Sequence, residues 1–250
     1  MKRILLKIAY DGTGYNGWQL SKDGVSIEGK LMQAISELTG EKPEIGGVSR
    51  TDAGVHALSN LAVFDTDSSI PGDKFSYALN TKLPQDIRVI MSREVSNGFH
   101  PRFARTEKTY LYRIQRSEFP DPLRIRYTWN VSYDLDTEKM REAVEYFKGE
   151  HDFKSFCNVH TDVKTTVREI TDIAVVEEGD EIHLRVSGFG FLYNMVRIIA
   201  GTLVEVGRGR IEPGEISEIL KSLDREKAGP TAPAQGLTLL NIRILDEESL

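Results

Sequence analysis

The chain has 250 residues, 40% of them hydrophobic and 28% charged, with a formal net charge of −6. This composition is typical of a folded globular protein with one large or two small domains, and it excludes a disordered chain. A single cysteine, Cys157, excludes an internal disulfide and a zinc site made of several thiolates. No apolar run approaches the roughly 20 residues of a membrane span, and the first residues lack a signal-peptide pattern, so we expect a cytoplasmic protein without membrane contact.

The first half of the chain alternates strands with short helices. Residues 3–10 have the pattern of a strand. Ser26 is a typical residue to begin a helix and Gly40 to end one, with apolar residues at helical spacing between them. The further elements expected here are an extended segment at 43–49, a strand at 61–64, a short helix at 73–80 and a strand at 87–94.

The second half follows a related order. Residues 108–115 alternate in polarity, so Tyr110, Tyr112 and Ile114 share one face of a strand. The elements expected after it are a neighbouring strand at 127–133, a helix at 137–148, a hairpin of strands at 167–176 and 182–187, a very apolar helix at 191–206 ended by Gly207, a helix from Pro213 to about 223 and a strand at 236–244.

These elements predict an α+β fold made of two β-α-β-β-type, RRM-like halves. We expect the halves to join into a central, mainly antiparallel sheet with helices on one face and an active-site cleft between them. The predicted division places residues 1–104 in an N-terminal half that carries the Asp52 loop. Residues 105–250 form a C-terminal half that carries the Tyr110 strand and the Arg197 helix.

The segment around Asp52 is the strongest candidate for chemistry. Asp52 follows Arg50 by two positions and precedes His56 by four, among small residues that favour a loop. A carboxylate beside a guanidinium stays ionised and oriented, as a nucleophile or a general base requires. The alternative is a tight turn with a solvated aspartate.

A basic stretch with interleaved aromatic residues extends from 99 to 116, while acidic residues collect elsewhere. This asymmetry fits a polyanion-binding face, and a solvated strand edge is the alternative.

Tyr110 could stack on a base or fill the core, and the core interpretation is at least as good for Tyr112. Arg197 lies in an apolar helix, where a guanidinium either has an acidic partner or extends to solvent.

Other site types lack their patterns. The chain has no Gly-Lys-Ser/Thr phosphate loop and no Gly-x-Gly-x-x-Gly after a strand. Its histidines form no His-x-x-x-His pair on a helix, so we expect no metal, and the alternative is a metal held by Asp52, His56 and His100 brought together in space.

The motifs together resemble the tRNA pseudouridine synthase A family along nearly the whole chain. The matching blocks are Tyr10-Asp11-Gly12, Tyr15-Asn16-Gly17-Trp18-Gln19, the segment from Arg50 to Ala57, the segment from Leu83 to Val89, Phe99-His100-Pro101-Arg102-Phe103, the segment from Lys108 to Tyr112, His151-Asp152-Phe153, the segment from Met195 to Gly201 and the segment from Thr231 to Leu237. The sequence departs from the family at Ser49 and at Leu58-Ser59-Asn60, and we expect the second departure to affect the grip on the RNA and the choice among neighbouring uridines.

The resemblance implies an isomerase that converts uridine to pseudouridine at positions 38, 39 and 40 of the tRNA anticodon stem-loop. It implies no metal, no organic cofactor and a homodimer that binds tRNA. By position, Asp52 matches the catalytic aspartate, Arg197 the arginine paired with it, Tyr110 the tyrosine stacked on the target base and Arg50 an arginine that holds the everted nucleotide. Four further residues are expected near the RNA backbone, namely His56, Arg102, Arg105 and Lys108. The competing interpretation is a non-catalytic RNA-binding or RNA-folding protein, which would need the basic face but not Asp52.

Overall fold

The computed structural model describes residues 1–21, 24–99, 104–159 and 163–245. Within these ranges the strands are β1 (Lys2–Tyr10), β2 (Gly46–Gly47), β3 (His56–Thr66), β4 (Ile87–Val95), β5 (Thr106–Arg116), β6 (Trp129–Val131), β7 (Gly149–Asp152), β8 (Val167–Glu178), β9 (Glu181–Phe189) and β10 (Leu237–Ile244). The helices are α1 (Ile27–Thr39), α2 (Phe75–Asn80), α3 (Thr137–Val144), α4 (Met195–Gly207) and α5 (Glu215–Ser222).

The predicted α+β class with a mainly antiparallel sheet is confirmed. The chain divides into two compact units, Met1–Thr106 with the residues from Leu239 onward, and Glu107–Thr238. In the described ranges, no helix combines the length and the apolar character that crossing a membrane requires.

The first unit is built on β1, which pairs antiparallel with β3 on one side and with β4 on the other. The strand order is β4-β1-β3-β10, and the short β2 pairs with β3. Helix α1 begins and ends where the sequence predicts: the Ser26 hydroxyl accepts a hydrogen bond from the amide of Gly29, and Gly40 adopts a left-handed conformation with φ 76°. Both features satisfy backbone groups that a helix end leaves open.

The second unit has the strand order β5-β9-β8-β7, and β6 pairs parallel with β5. The predicted hairpin of β8 and β9 is present and turns at Gly179, whose φ is 66°. In the register of β5 and β9, Lys108 lies opposite Gly188 and Tyr110 opposite Val186. Because residues opposite each other point to the same side of a sheet, Lys108, Tyr110, Val186 and Gly188 share one face.

Three predicted boundaries in this unit are wrong. Helix α4 begins at Met195 and not at 191, because Asn194 adopts a left-handed conformation with φ 61° that no helix continues through. Gly207 belongs to the helix, where its missing Cβ admits the Met140 sulfur at 3.0 Å from the Cβ position. Helix α3 is also shorter than predicted, since residues 145–147 form a 3-10 turn. Strand β7 was not predicted, because its residues Gly149–Asp152 lack the apolar alternation of a half-buried strand.

Candidate active site

Asp52 lies on a closed turn between β2 and β3, so the predicted loop is confirmed. The amide of Val55 donates a hydrogen bond to the carbonyl of Asp52 at 3.2 Å, and Gly54 has φ 78°. Asp52 is half-buried, whereas Ala53 at the tip is exposed. The turn therefore holds the carboxylate at the edge of the fold on a short, constrained backbone.

Two glycines of the N-terminal motif lie against this turn. A Cβ on Gly12 would stand 2.1 Å from the carbonyl oxygen of Val55, and one on Gly17 would stand 2.6 Å from that of Thr51. Gly17 also has φ 91°, a conformation that favours glycine. The amide of Trp18 donates to the Thr51 carbonyl at 3.0 Å. Two blocks that are far apart in sequence thus form one packed backbone unit around Asp52.

A buried hydrogen-bond network connects the residues that precede Asp52 to β1 and β3. The hydroxyls of Tyr10 and Thr51 lie 2.8 Å apart. The side-chain amide of Asn60 donates to the Tyr10 hydroxyl at 3.2 Å and to the Ser49 carbonyl at 2.9 Å. Asn60 is fully buried. Fully satisfied buried polar groups give a region one well-defined conformation, and this one fixes the residues that flank Asp52.

The network includes part of the segment Leu58-Ser59-Asn60, and the effect of this segment on the grip on the RNA stays a prediction. Ser59 is 2% exposed and Asn60 is 0% exposed, so their side chains are part of the core, whereas Leu58 is 53% exposed. Sequence reasoning missed Asn60 as a support of the site, because its partners Tyr10 and Ser49 lie 50 and 11 residues away and no local pattern links them.

His56 is buried at the base of the turn. Its Nδ1 accepts a hydrogen bond from the amide of Gly12 at 3.0 Å and lies 3.1 Å from a carboxylate oxygen of Asp11. Nearby, the Tyr15 hydroxyl donates to Asp86 at 2.7 Å, and burial together with this carboxylate raises the pKa of Tyr15. These contacts support the loop, and a contact of His56 with RNA stays a prediction.

The other cations expected near RNA in the first unit are Arg50, Arg102 and Arg105. Arg50 and Arg105 have exposed side chains. The backbone carbonyl of Arg105 accepts from the amide of Leu245 at 2.9 Å, which fixes the chain there. Arg102 lies outside the residues that the structure describes. The RNA contacts of all three stay predictions.

In the second unit, Tyr110 and Lys108 share one face of β5 with Tyr112. Tyr110 is 7% exposed, and its ring meets that of Phe191 edge to face with centroids 5.0 Å apart. Burial and the positive charge of Arg168 lower the pKa of Lys108 to about 8. Tyr112 is fully buried and its hydroxyl donates to the Pro233 carbonyl at 2.8 Å, so the core interpretation of Tyr112 is correct.

Arg197 is held by the segment that precedes β10. Its Nε donates to the carbonyl of Ala232 at 2.8 Å, and the amide of Ala232 donates back to the carbonyl of Arg197 at 3.1 Å. A Cβ on Gly201, one helical turn later, would stand 1.8 Å from the Pro230 carbonyl oxygen. Two more blocks of the predicted family pattern therefore pack directly together. The positive charge of Arg197 also opposes the rise that burial causes in the pKa of Tyr112.

The predicted residues thus divide between the two units. Asp52 lies in the first unit, and Tyr110 and Arg197 lie in the second. Each is held by its own set of backbone contacts. The pairing of Asp52 with Arg197 and the stacking of Tyr110 on a base stay predictions.

Comparisons with known proteins identify the family to which this chain belongs. A family model described as tRNA pseudouridine synthase matches residues 7–104 and 143–243. The tRNA pseudouridine synthase A of Acetivibrio thermocellus is 48% identical over 97% of this chain and 99% of its own length. The tRNA pseudouridine synthase A 2 of Clostridium perfringens is 51% identical over 96% and 98%. The tRNA pseudouridine synthase A of Brevibacillus brevis is 46% identical over 97% and 99%.

Among solved structures, the archaeal box H/ACA sRNP Nop10–Cbf5 complex contains a chain that matches 95% of this one over 46% of its own length. The identity is 12% and the TM-score 0.36, too low to support an argument. The family model and the near full-length relatives agree with the resemblance seen in the sequence. The chain belongs to the tRNA pseudouridine synthase family.

Proposed function

We propose that this protein is an isomerase that converts uridine to pseudouridine in the anticodon stem-loop of tRNA, at positions 38, 39 and 40. Family membership supports the reaction and the substrate class. The observation that carries the proposal is the Asp52 turn, on which the backbone contacts of Gly12 and Gly17 fix a half-buried carboxylate. We further propose that the enzyme is a cytoplasmic homodimer that works without a metal or an organic cofactor.

The reaction needs an oriented carboxylate. The bond between C1′ of the ribose and N1 of the uracil breaks, the base turns, and C1′ bonds to C5. C5 gives up its proton to solvent and the freed N1 takes one up, so the product is an isomer of the substrate and the reaction needs no co-reactant. Asp52 acts either as a nucleophile at the sugar or as a base that removes a ribose proton to give a glycal. Both roles require the ionised form in a fixed orientation, which a neighbouring guanidinium favours.

The target base must leave the helical stack before a carboxylate can reach its sugar. Eversion costs a few kcal/mol, which stacking on an aromatic side chain and contacts to phosphates offset. We assign the stacking to Tyr110 and the pairing with Asp52 to Arg197. We assign Arg50 to holding the everted nucleotide. Arg105 and Lys108 supply cations for the RNA backbone, as does Arg102 in the segment beyond the described residues, and we place His56 near the same backbone.

The test is release of tritium from tRNA transcripts labelled at C5 of uridine. The wild-type protein should release tritium from a transcript that contains uridine at positions 38, 39 and 40. Replacing these uridines by cytidine one at a time should remove the corresponding fraction of the label released. Binding of the transcript without any release would contradict the proposal and favour a non-catalytic RNA-binding protein.

A further inference from the structure

The face of the sheet that carries Tyr110 also carries two cations on separate strands. Lys108 lies on β5 opposite Gly188 of β9, and Gly188 lies opposite Ile170 of β8. Residues directly opposite each other point to the same side of a sheet, and so do residues two apart on one strand. Lys108 and Arg168 therefore project from the same face, on either side of β9.

The strand between them has no side chain at the two intervening positions. Gly188 lies beside Lys108, and Gly190 lies beside Arg168, whose Cδ and Nε stand 3.7 Å from the position of a Gly190 Cβ. A Cβ on Gly188 would stand 2.4 Å from the Glu169 carbonyl oxygen, so the close approach of β8 excludes any larger residue there. Neither Gly188 nor Gly190 has a side chain that would stand between Lys108 and Arg168 on this face.

The guanidinium of Arg168 is held through one of its terminal nitrogens. Its Nη1 donates to the carbonyls of Thr165 at 3.0 Å and Val167 at 2.6 Å. Within the part of the chain that the structure describes, Nε and Nη2 of Arg168 make no hydrogen bond. Nε and one terminal nitrogen are the pair of donors with which arginine binds a phosphate in a bidentate manner.

The electrostatics agree with an anion site. Burial, together with the nearby Arg168 charge, lowers the pKa of Lys108 to about 8, and burial lowers that of Arg168. Two like charges held near each other in a half-buried place destabilise the free protein. An anion between them removes this repulsion, so the arrangement favours a bound negative charge.

We propose that Arg168 and Lys108 bind one phosphate of the RNA backbone on the face of the sheet that carries Gly188 and Gly190, next to the base stacked on Tyr110. Arg168 is a binding residue that neither the sequence motifs nor the family resemblance singled out. The site lies two residues along β5 from Tyr110. The proposal rests on the proposed function only for the identity of the RNA.

The test measures tRNA binding in the Asp52→Asn background, so that the substrate is not consumed. Arg168→Gln should flatten the slope of log Kd against log salt concentration by about 0.7–1, which corresponds to one lost phosphate contact. Arg168→Lys should keep most of the slope. Arg185→Gln is the matched control, since it removes one cation from an exposed position on the opposite face of β9. Thermal melting checks that each variant is folded.

A second arm locates the phosphate. Stem-loop RNAs carry a single neutral methylphosphonate at successive positions near the target uridine. At one position the substitution should weaken binding by about tenfold for the Arg185→Gln variant and hardly at all for Arg168→Gln. Equal salt slopes for the two glutamine variants, with equal losses at every neutral position, would overturn the phosphate site. Tritium release by the protein with Asp52 intact reports the proposed function separately, so either claim can fail alone.

Discussion

Replacing Gly12 by alanine tests whether the N-terminal motif positions the Asp52 turn. The added Cβ would stand 2.1 Å from the carbonyl oxygen of Val55 and 2.6 Å from its carbon. Both contacts are to backbone, so the turn itself must retreat by about 1 Å to reach van der Waals separation. Overpacking of this kind costs about 1–3 kcal/mol of unfolding free energy. For a chain of this length, that lowers Tm by roughly 2–12 °C.

The same displacement should also slow catalysis. A displacement of about 1 Å at a reacting group can cost about a hundredfold in rate. We therefore expect Gly12→Ala to lower the single-turnover rate of tritium release by about a hundredfold at a temperature where the variant is folded. Gly14→Ala is the matched control, because Gly14 lies in the same turn with nothing within 4 Å of a Cβ. A Gly12→Ala protein with the rate and Tm of the Gly14→Ala protein would refute the reasoning.

Three further predictions concern the second unit. Tyr110→Phe should keep much more activity than Tyr110→Ala, because stacking does not need the hydroxyl, and equal losses would instead indicate proton transfer by the phenol. Tyr112→Phe should lower the unfolding free energy by about 1 kcal/mol, since the half-buried carbonyl of Pro233 loses its donor. The rate of tritium release should stay near that of wild type, and unchanged stability in chemical denaturation would contradict the prediction. The pKa of Lys108 in the free protein is lowered to about 8, and a bound anion favours the protonated form. The affinity for tRNA should therefore fall as pH rises from 7 to 9, by up to about tenfold per pH unit above pH 8. Lys108→Arg should remove this dependence, and a profile identical to that of wild type would contradict the assignment.

Local patterns in the sequence predict the elements of this fold well. Ser26 and Gly40 mark the ends of α1 because helix-end chemistry involves residues only a few positions apart. The start of α4 is different: the apolar residues Phe191 and Leu192 extend the hydrophobic run, but Asn194 takes a left-handed conformation that this run does not reveal. Strand β7 is polar and depends on pairing with β8, which a local pattern does not contain.

The same distinction applies to the candidate site. The Asp52 loop is evident from its own residues, since aspartate and glycine favour turns. The hydrogen bond from Asn60 to Tyr10 and the close packing of Gly12 against Val55 are contacts across more than 40 residues. Arg168 faces the Tyr110 side of the sheet only because of the register between β8 and β9. Such long-range geometry is set by the tertiary structure, and no spacing in the sequence indicates it.

The most direct measurement of the central claim is the single-turnover rate of tritium release by the Asp52→Asn variant. Asparagine keeps the size of the side chain and removes the charge that the reaction needs. We expect the rate to fall by at least about a thousandfold while the Kd for tRNA and the Tm stay close to the wild-type values. Release at the wild-type rate by a folded Asp52→Asn protein would contradict the assignment of the reaction to this carboxylate.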